Sequence, residues 1–213
     1  NGFAQLTVIP AANGSPQATG VGTAGTRLTI FWARATSAAM TAPTVTVPAV
    51  ANSHLYARII TYRNVLNAGN PWNITAGGVK TPASTSVTVT GVTTTVPNTR
   101  IVQAVARDND SAAAAFSAET NVNLTGITER NDAGTTTGLG GGLGVWDGSM
   151  AAAGATGNTT ATVTNSINAF LTIALAPNPA PVPVYQALGG AVVTGLNWPT
   201  HAIDDVALLF IES

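Results

Sequence analysis

Cysteine is absent from the 213 residues, so the chain has neither a disulfide framework nor a thiolate metal site. Charge is scarce as well. Asp, Glu, Lys and Arg make up 8% of the sequence, about a third of the share usual in soluble domains. With a formal net charge of −1 and a single lysine, Lys80, there is no basic stripe that would recognise nucleic acid or an anionic membrane surface. No apolar run approaches the roughly 18 to 20 residues needed to span a bilayer, so membrane insertion is not expected. The sequence starts at Asn1, with neither an initiator methionine nor a signal peptide. That start fits a processed product or a piece of a longer polypeptide.

Small apolar and hydroxyl-bearing residues make up most of the chain. Hydrophobic residues are 45%, chiefly Ala and Val, and much of the polar remainder is Thr, Asn and Ser. A disordered chain combines low hydrophobicity with high charge, the opposite pattern. So few surface charges give little colloidal repulsion, which suits a protein packed permanently against its own copies. A Thr/Ser-rich extracellular surface would read the same way.

Short β-branched and aromatic runs recur at roughly 8 to 12 residue spacing, separated by Gly, Pro and Asn. Strands are expected over Phe3–Ile9, Arg27–Ala35, an edge segment Thr44–Val47 between two prolines, Leu55–Val65, Ser84–Thr90 and Thr99–Arg107. Further strands are expected at Val122–Glu129, Leu143–Ala152, Ala161–Val163 and Phe170–Leu175. Asn13–Pro16 reads as a turn, Gln17–Thr26 and Asn131–Gly142 as loops, and Ala112–Ala115 as at most one helical turn. No 3.6-residue period is sustained. The expected fold class is all-β, an antiparallel sandwich of jelly-roll or Greek-key type.

The C-terminal stretch stands apart. Pro177–Pro183 is a proline-dense connector that spans about 22 Å in a polyproline II conformation. Val184–Leu188 and Ala191–Leu196 follow, then Asp205–Ile211. This last run is apolar on both alternating faces, with Val206, Leu208 and Phe210 on one and Ala207, Leu209 and Ile211 on the other. Such a strand is covered on both sides. The expected organisation is a sandwich over 1–176, a linker over 177–183, and a strand segment over 184–213 that either completes a neighbour or begins the next module. Val206, Leu208, Leu209, Phe210 and Ile211 are the candidate assembly residues, each contributing about 1.5–3 kcal/mol when fully buried.

Several segments carry a resemblance: Thr125–Asp132 (TGITERND), the Gly140–Gly144 turn, Gly148, Ala153-Gly154, Asn158–Val163 and Ile173–Pro177, together with Arg27–Trp32. In this order they resemble the β-sandwich modules of tail fibres and other virion surface proteins of tailed bacteriophages. The resemblance implies a structural role and supplies no catalytic residues. In those modules, however, a segment like His201–Ser213 stands near the beginning and leads into one like Phe3–Ile9, so the order here is inverted. Three arrangements account for this: one period cut from a tandem array, terminal strands that complete a neighbouring subunit, or a permuted monomer in which the segment returns to its own core.

Candidate chemistry is thin. Asp108-Asn109-Asp110 has the spacing of a calcium loop without its Gly and distal Glu, and reads as an Asx turn. His54 and His201 are too few for zinc without cysteines, and His201 beside Asp204 and Asp205 reads as the polar start of a strand. No G-x-S-x-G elbow exists. Glu119, Glu129, Asp132 and Asp147 are the carboxylates that a glycosidase would have to draw on. Gly138–Gly144 lacks the Lys-Ser/Thr of a phosphate loop. Among the aromatics, Trp32 reads as core, whereas Trp72, in the Asn70–Asn73 loop, is the candidate for sugar stacking. Asn13, Asn73, Asn109, Asn123 and Asn158 begin N-x-S/T sequons, relevant only where the source glycosylates.

The expectation is a non-enzymatic structural subunit of an extracellular filament or virion surface, without cofactor or metal. Its partners would be copies of itself in a homopolymer joined by strand complementation. The alternative is a carbohydrate-binding module that recognises surface glycans.

Overall fold

The computed structural model describes residues 4–5, 25–45, 53–179, 181–190 and 196–213. Among them are thirteen strands and no helix, and the strands form two packed antiparallel sheets with a small two-stranded ribbon. The expected all-β sandwich is the observed fold.

Sheet I runs in the order β1 (Ala4–Gln5), β2 (Leu28–Arg34), β13 (Val206–Glu212), β3 (Tyr56–Arg63), β12 (Val184–Leu188). Sheet II runs β4 (Trp72–Val89), β11 (Thr159–Leu175), β6 (Thr99–Arg107), β9 (Gly141–Met150), β8 (Thr125–Thr135), with β7 (Phe116–Thr120) also paired to β11. β5 (Thr93–Thr94) and β10 (Gly154–Ala155) make the ribbon.

Alternation along the strands produces the core between the sheets. Leu28, Ile30, Tyr56, Ile60, Tyr62, Val206, Leu208 and Phe210 project from sheet I onto Val102, Ala104, Ala106, Leu143, Val145, Leu171, Ile173 and Leu175 of sheet II. Each sheet is also covered on its outer face. On sheet I, Ala57, Ile59, Ala207, Leu209 and Ile211 lie beneath Val45, Leu196 and Trp198, which come from the segments after β2 and before β13.

Sheet II is covered largely by its own strands. Register shifts around Ser166 mark bulges where β11 leaves its regular pairing with β4. Beyond them, Val87, Val89, Ala161 and Val163 join Phe116 against Val105, Trp146 and Phe170. The Thr172 hydroxyl donates to the Thr90 carbonyl at 2.7 Å, so the far end of β4 has returned over the middle of β11. The exposed side of this flap carries Ser86, Thr88, Thr160 and Thr162.

Several expectations shift. The strand expected at Ser84–Thr90 is the outer third of an 18-residue β4, and Ala161–Val163 and Phe170–Leu175 belong to one bent strand. β8 runs on to Thr135, into the segment expected to be a loop, and β7 occupies residues to which no element was assigned. Ala112–Ala115 forms no helical turn. Thr44 and Val45 are not in a strand, and the rest of that edge segment lies outside the described residues, as do the Asn13–Pro16 turn, most of Phe3–Ile9 and most of Ala191–Leu196.

Candidate assembly site

β13 is the central strand of sheet I, and all seven of its residues are buried. The expectation of two covered faces is met: Val206, Leu208 and Phe210 enter the inter-sheet core, while Leu209 and Ile211 enter the outer cluster. The strand pairs antiparallel with β2 along Val206↔Arg34 to Glu212↔Leu28 and with β3 along Val206↔Tyr62 to Glu212↔Tyr56. β2 and β3 therefore point the same way and are joined only through β13. Within the single chain, the sheet that the C-terminal segment completes is its own. Removing β13 would leave an apolar slot flanked by two rows of unpaired backbone groups.

Polar contacts fix β13 at both ends. At its start, Arg63 donates to both oxygens of the buried Asp205 carboxylate, at 2.9 and 2.8 Å, and Asp205 also accepts from the Ala202 amide at 2.7 Å. At its end, the buried Glu212 carboxylate meets His54 Nε2 at 2.6 Å and accepts from the Thr26 hydroxyl at 2.9 Å. Gly141 permits this packing, because a Cβ there would overlap both Glu212 and His54. The Glu212 hydrogen bond holds the His54 imidazole above its ordinary value against the opposing effect of burial. Burial raises the Glu212 carboxyl in turn.

The proline connector is also held by the body of the fold. Pro177 bridges to Val65, and the Asn178 amide donates to the Asn64 carbonyl at 2.8 Å. Arg100 Nε donates to the Pro183 carbonyl at 2.9 Å, and its Nη1 to Asp147 at 3.2 Å. Arg130 reaches both Asp147 oxygens, at 2.8 and 3.0 Å, and lies 4.2 Å from the Tyr185 ring centroid. Tyr62 adds its hydroxyl to Asp147 at 3.1 Å. One buried carboxylate of sheet II thus organises two arginines and a tyrosine against the strap that leads into β12.

The other candidates resolve individually. Trp72 is not an exposed loop residue. It begins β4, is only 7% exposed, and packs edge-on against Trp32 at 5.6 Å. Its neighbours supply the reason: Pro71 carries the chain directly into an edge strand, and the indole turns inward onto the core. It therefore presents no open platform to a sugar. Asp132 accepts from the Ala115 and Phe116 amides at 2.7 and 2.8 Å, so it organises a turn, and Asp147 is neutralised by its arginines. Glu129 lies near Asp132 and Glu119, whose charges add to the effect of burial in raising its carboxyl. Asp108 accepts from the Ile167 amide, and Asn109 from Arg107, in keeping with a structural turn. Among the described residues no group of three or more His, Asp or Glu could hold a metal.

Sequence reasoning missed the Arg100–Asp147–Arg130 clasp and the His54–Glu212 pair. Their partners lie 47 and 158 positions apart in the chain, and no local spacing reports such pairs. No family model, curated protein or solved structure matches this chain.

Proposed function

We propose that the protein is a non-enzymatic structural subunit of an extracellular or virion fibre, in which the C-terminal strands of one copy complete sheet I of the next. The free subunit closes on itself, with its own β13 between β2 and β3. In the fibre the same contacts form between copies, the connector crossing from one body to its neighbour. The observation that carries this reading is the β13 slot: a buried, doubly apolar strand at the end of the described chain separates two strands that do not pair with each other. Backbone pairing with a donated strand supplies affinity, and alternate side chains supply register. The low charge supports it too, since the surface offers little repulsion to dense packing of copies.

The absence of native cysteine makes the test clean. Ala33 and Ala207 are register partners on β2 and β13, so the double variant Ala33→Cys/Ala207→Cys reports which chain fills the slot. Concentrated, oxidised material should run as a ladder of covalent multimers on a non-reducing gel and appear as filaments in negative stain. Disulfides formed only within single chains, without filaments, would overturn the reading. Deleting 184–213 should abolish assembly.

A further inference from the structure

Where β2 leaves sheet I and β13 enters it, two loops face each other. Residues 38–42 follow β2 and residues 197–201 precede β13, and a groove of about 520 Å3 lies between them. That volume falls within the roughly 300–1,000 Å3 of small-ligand sites. The two walls are fixed to one frame: the Asp204 amide donates to the Ala35 carbonyl at 2.9 Å, the Ala35 amide to Asp205 at 2.8 Å, and the Thr61 hydroxyl to the Thr200 carbonyl at 3.3 Å.

The lining has a consistent chemistry. Trp198 packs against the outer apolar cluster of sheet I and remains partly exposed. Its ring lies 4.8 Å from that of His201, tilted by 49°. The His201 ring is locked: the Met40 amide donates to Nε2 at 3.4 Å, so Nδ1 carries the proton that it gives to the Pro199 carbonyl at 2.6 Å. Both imidazole nitrogens are thus engaged. Opposite stands a wall of small residues, Ala38, Ala39 and Ala42, which leaves room for a bulky guest. Asn197 and Thr200 are exposed and lend the groove an amide and a hydroxyl that make no side-chain hydrogen bond among the described residues. No lining residue carries a formal charge.

We infer that this groove is a binding site for a neutral saccharide, with Trp198 as the stacking surface and Asn197 and Thr200 as the hydroxyl-reading groups. The indole face covers the apolar C–H face of a pyranose, while the amide and hydroxyl exchange hydrogen bonds with its equatorial hydroxyls. A charged ligand would enter without a counter-charge and lose solvation. A purely apolar ligand would leave the amide and the hydroxyl without partners. The site is distinct from the β13 slot, and its ligand does not depend on whether copies exchange strands.

The test titrates the full chain with methyl β-glucoside, methyl β-galactoside and N-acetylglucosamine oligomers, followed by tryptophan fluorescence and by chemical shifts of the indole N–H groups. At least one neutral saccharide should shift the Trp198 signal and leave the Trp146 signal in place. Trp198→Ala should weaken that binding at least about tenfold. Should Trp198→Ala fail to fold, Ala39→Trp fills the groove from an exposed position and must also abolish binding. Absence of binding by every neutral saccharide tested would overturn the inference. So would binding unchanged in both variants, or sialic acid binding more tightly than the neutral sugars.

Discussion

Sheets I and II solve one topological problem in two ways. In each, a later strand lies between two earlier ones of like direction: β13 between β2 and β3, and β11 between β4 and β6. Each is buried on both faces where it is inserted, which is why FLTIAL and VALLFI are nearly continuous apolar runs. The covers differ. Sheet II mainly uses the lengths of β4 and β11, whose outer ends return over it with Val87, Val89, Ala161 and Val163, while Val92 and Leu124 from connecting segments cover Ile101 and Ala174. Sheet I relies on loop residues, Val45, Leu196 and Trp198. Sheet II is held to its cover by the pairing of two of its own strands, β4 and β11, over both the inner and the outer parts of their lengths. A sheet covered by loops and closed by a terminal strand depends on contacts that span the chain.

That difference can be broken or sharpened experimentally, and the largest effect belongs to β13. Phe210→Ala removes a fully buried ring from the inter-sheet core and should lower unfolding free energy by about 3–5 kcal/mol, read by urea titration. If the loss is no greater than that of a surface substitution, β13 is not integral to sheet I. Next comes Asp147→Ala, which leaves Arg100 and Arg130 facing each other without their carboxylate. Destabilisation of about 2–4 kcal/mol is expected, with faster amide exchange in β12, because the strap loses its organising charge. A normal stability curve and unchanged exchange would show that the clasp contributes nothing.

A smaller effect should come from pH. The folded His54 value is raised above its ordinary 6.5, so its contribution is complete below that value and lost as pH rises through the folded one. The Glu212 carboxyl is also raised, from 4.5, so the folded state again favours the protonated form and loses stability as pH climbs. Thermal melts should therefore show a lower Tm near about pH 8 than near about pH 6. His54→Gln should flatten this difference, and a Tm that rises with pH would contradict the assignment. Smallest of all, Thr162→Val on the exposed side of the flap should change stability by less than about 0.5 kcal/mol. A larger loss would mean that this face is covered.

Much of the fold was legible because its strands obey local rules. β6 was expected at Thr99–Arg107 and is found there, since its alternating residues serve two covered faces. β2, β3, β9, β12 and β13 lie within a few residues of their expected bounds. The inner part of β4 was hidden because Asn73, Gly77 and Gly78 break the β-branched pattern. Tertiary packing explains them: Gly77 and Gly78 lie where Leu171 and Phe170 need room. Trp72 misled for a related reason, as a Pro-Trp-Asn sequence looks like a turn whether the indole points out or in. The candidate sites were less legible still. The double burial of β13 was readable, but the Trp198–His201 groove depends on a second wall some 160 positions earlier in the chain, which only the closing of sheet I brings near.

The position of β13 also governs the order of events during synthesis. β2 and β3 are made within the first 63 residues, yet they have no partner between them until residues 206–212 leave the ribosome. Sheet II is complete once β11 ends at Leu175. Between that point and Val206 the nascent chain has one finished sheet and one open seam, and the closing contacts have among the longest sequence separations in the fold, the class that forms slowly. In a chain of such modules made in tandem, each β13 would emerge before β2 and β3 of the following module, so the first open seam it meets would be its own.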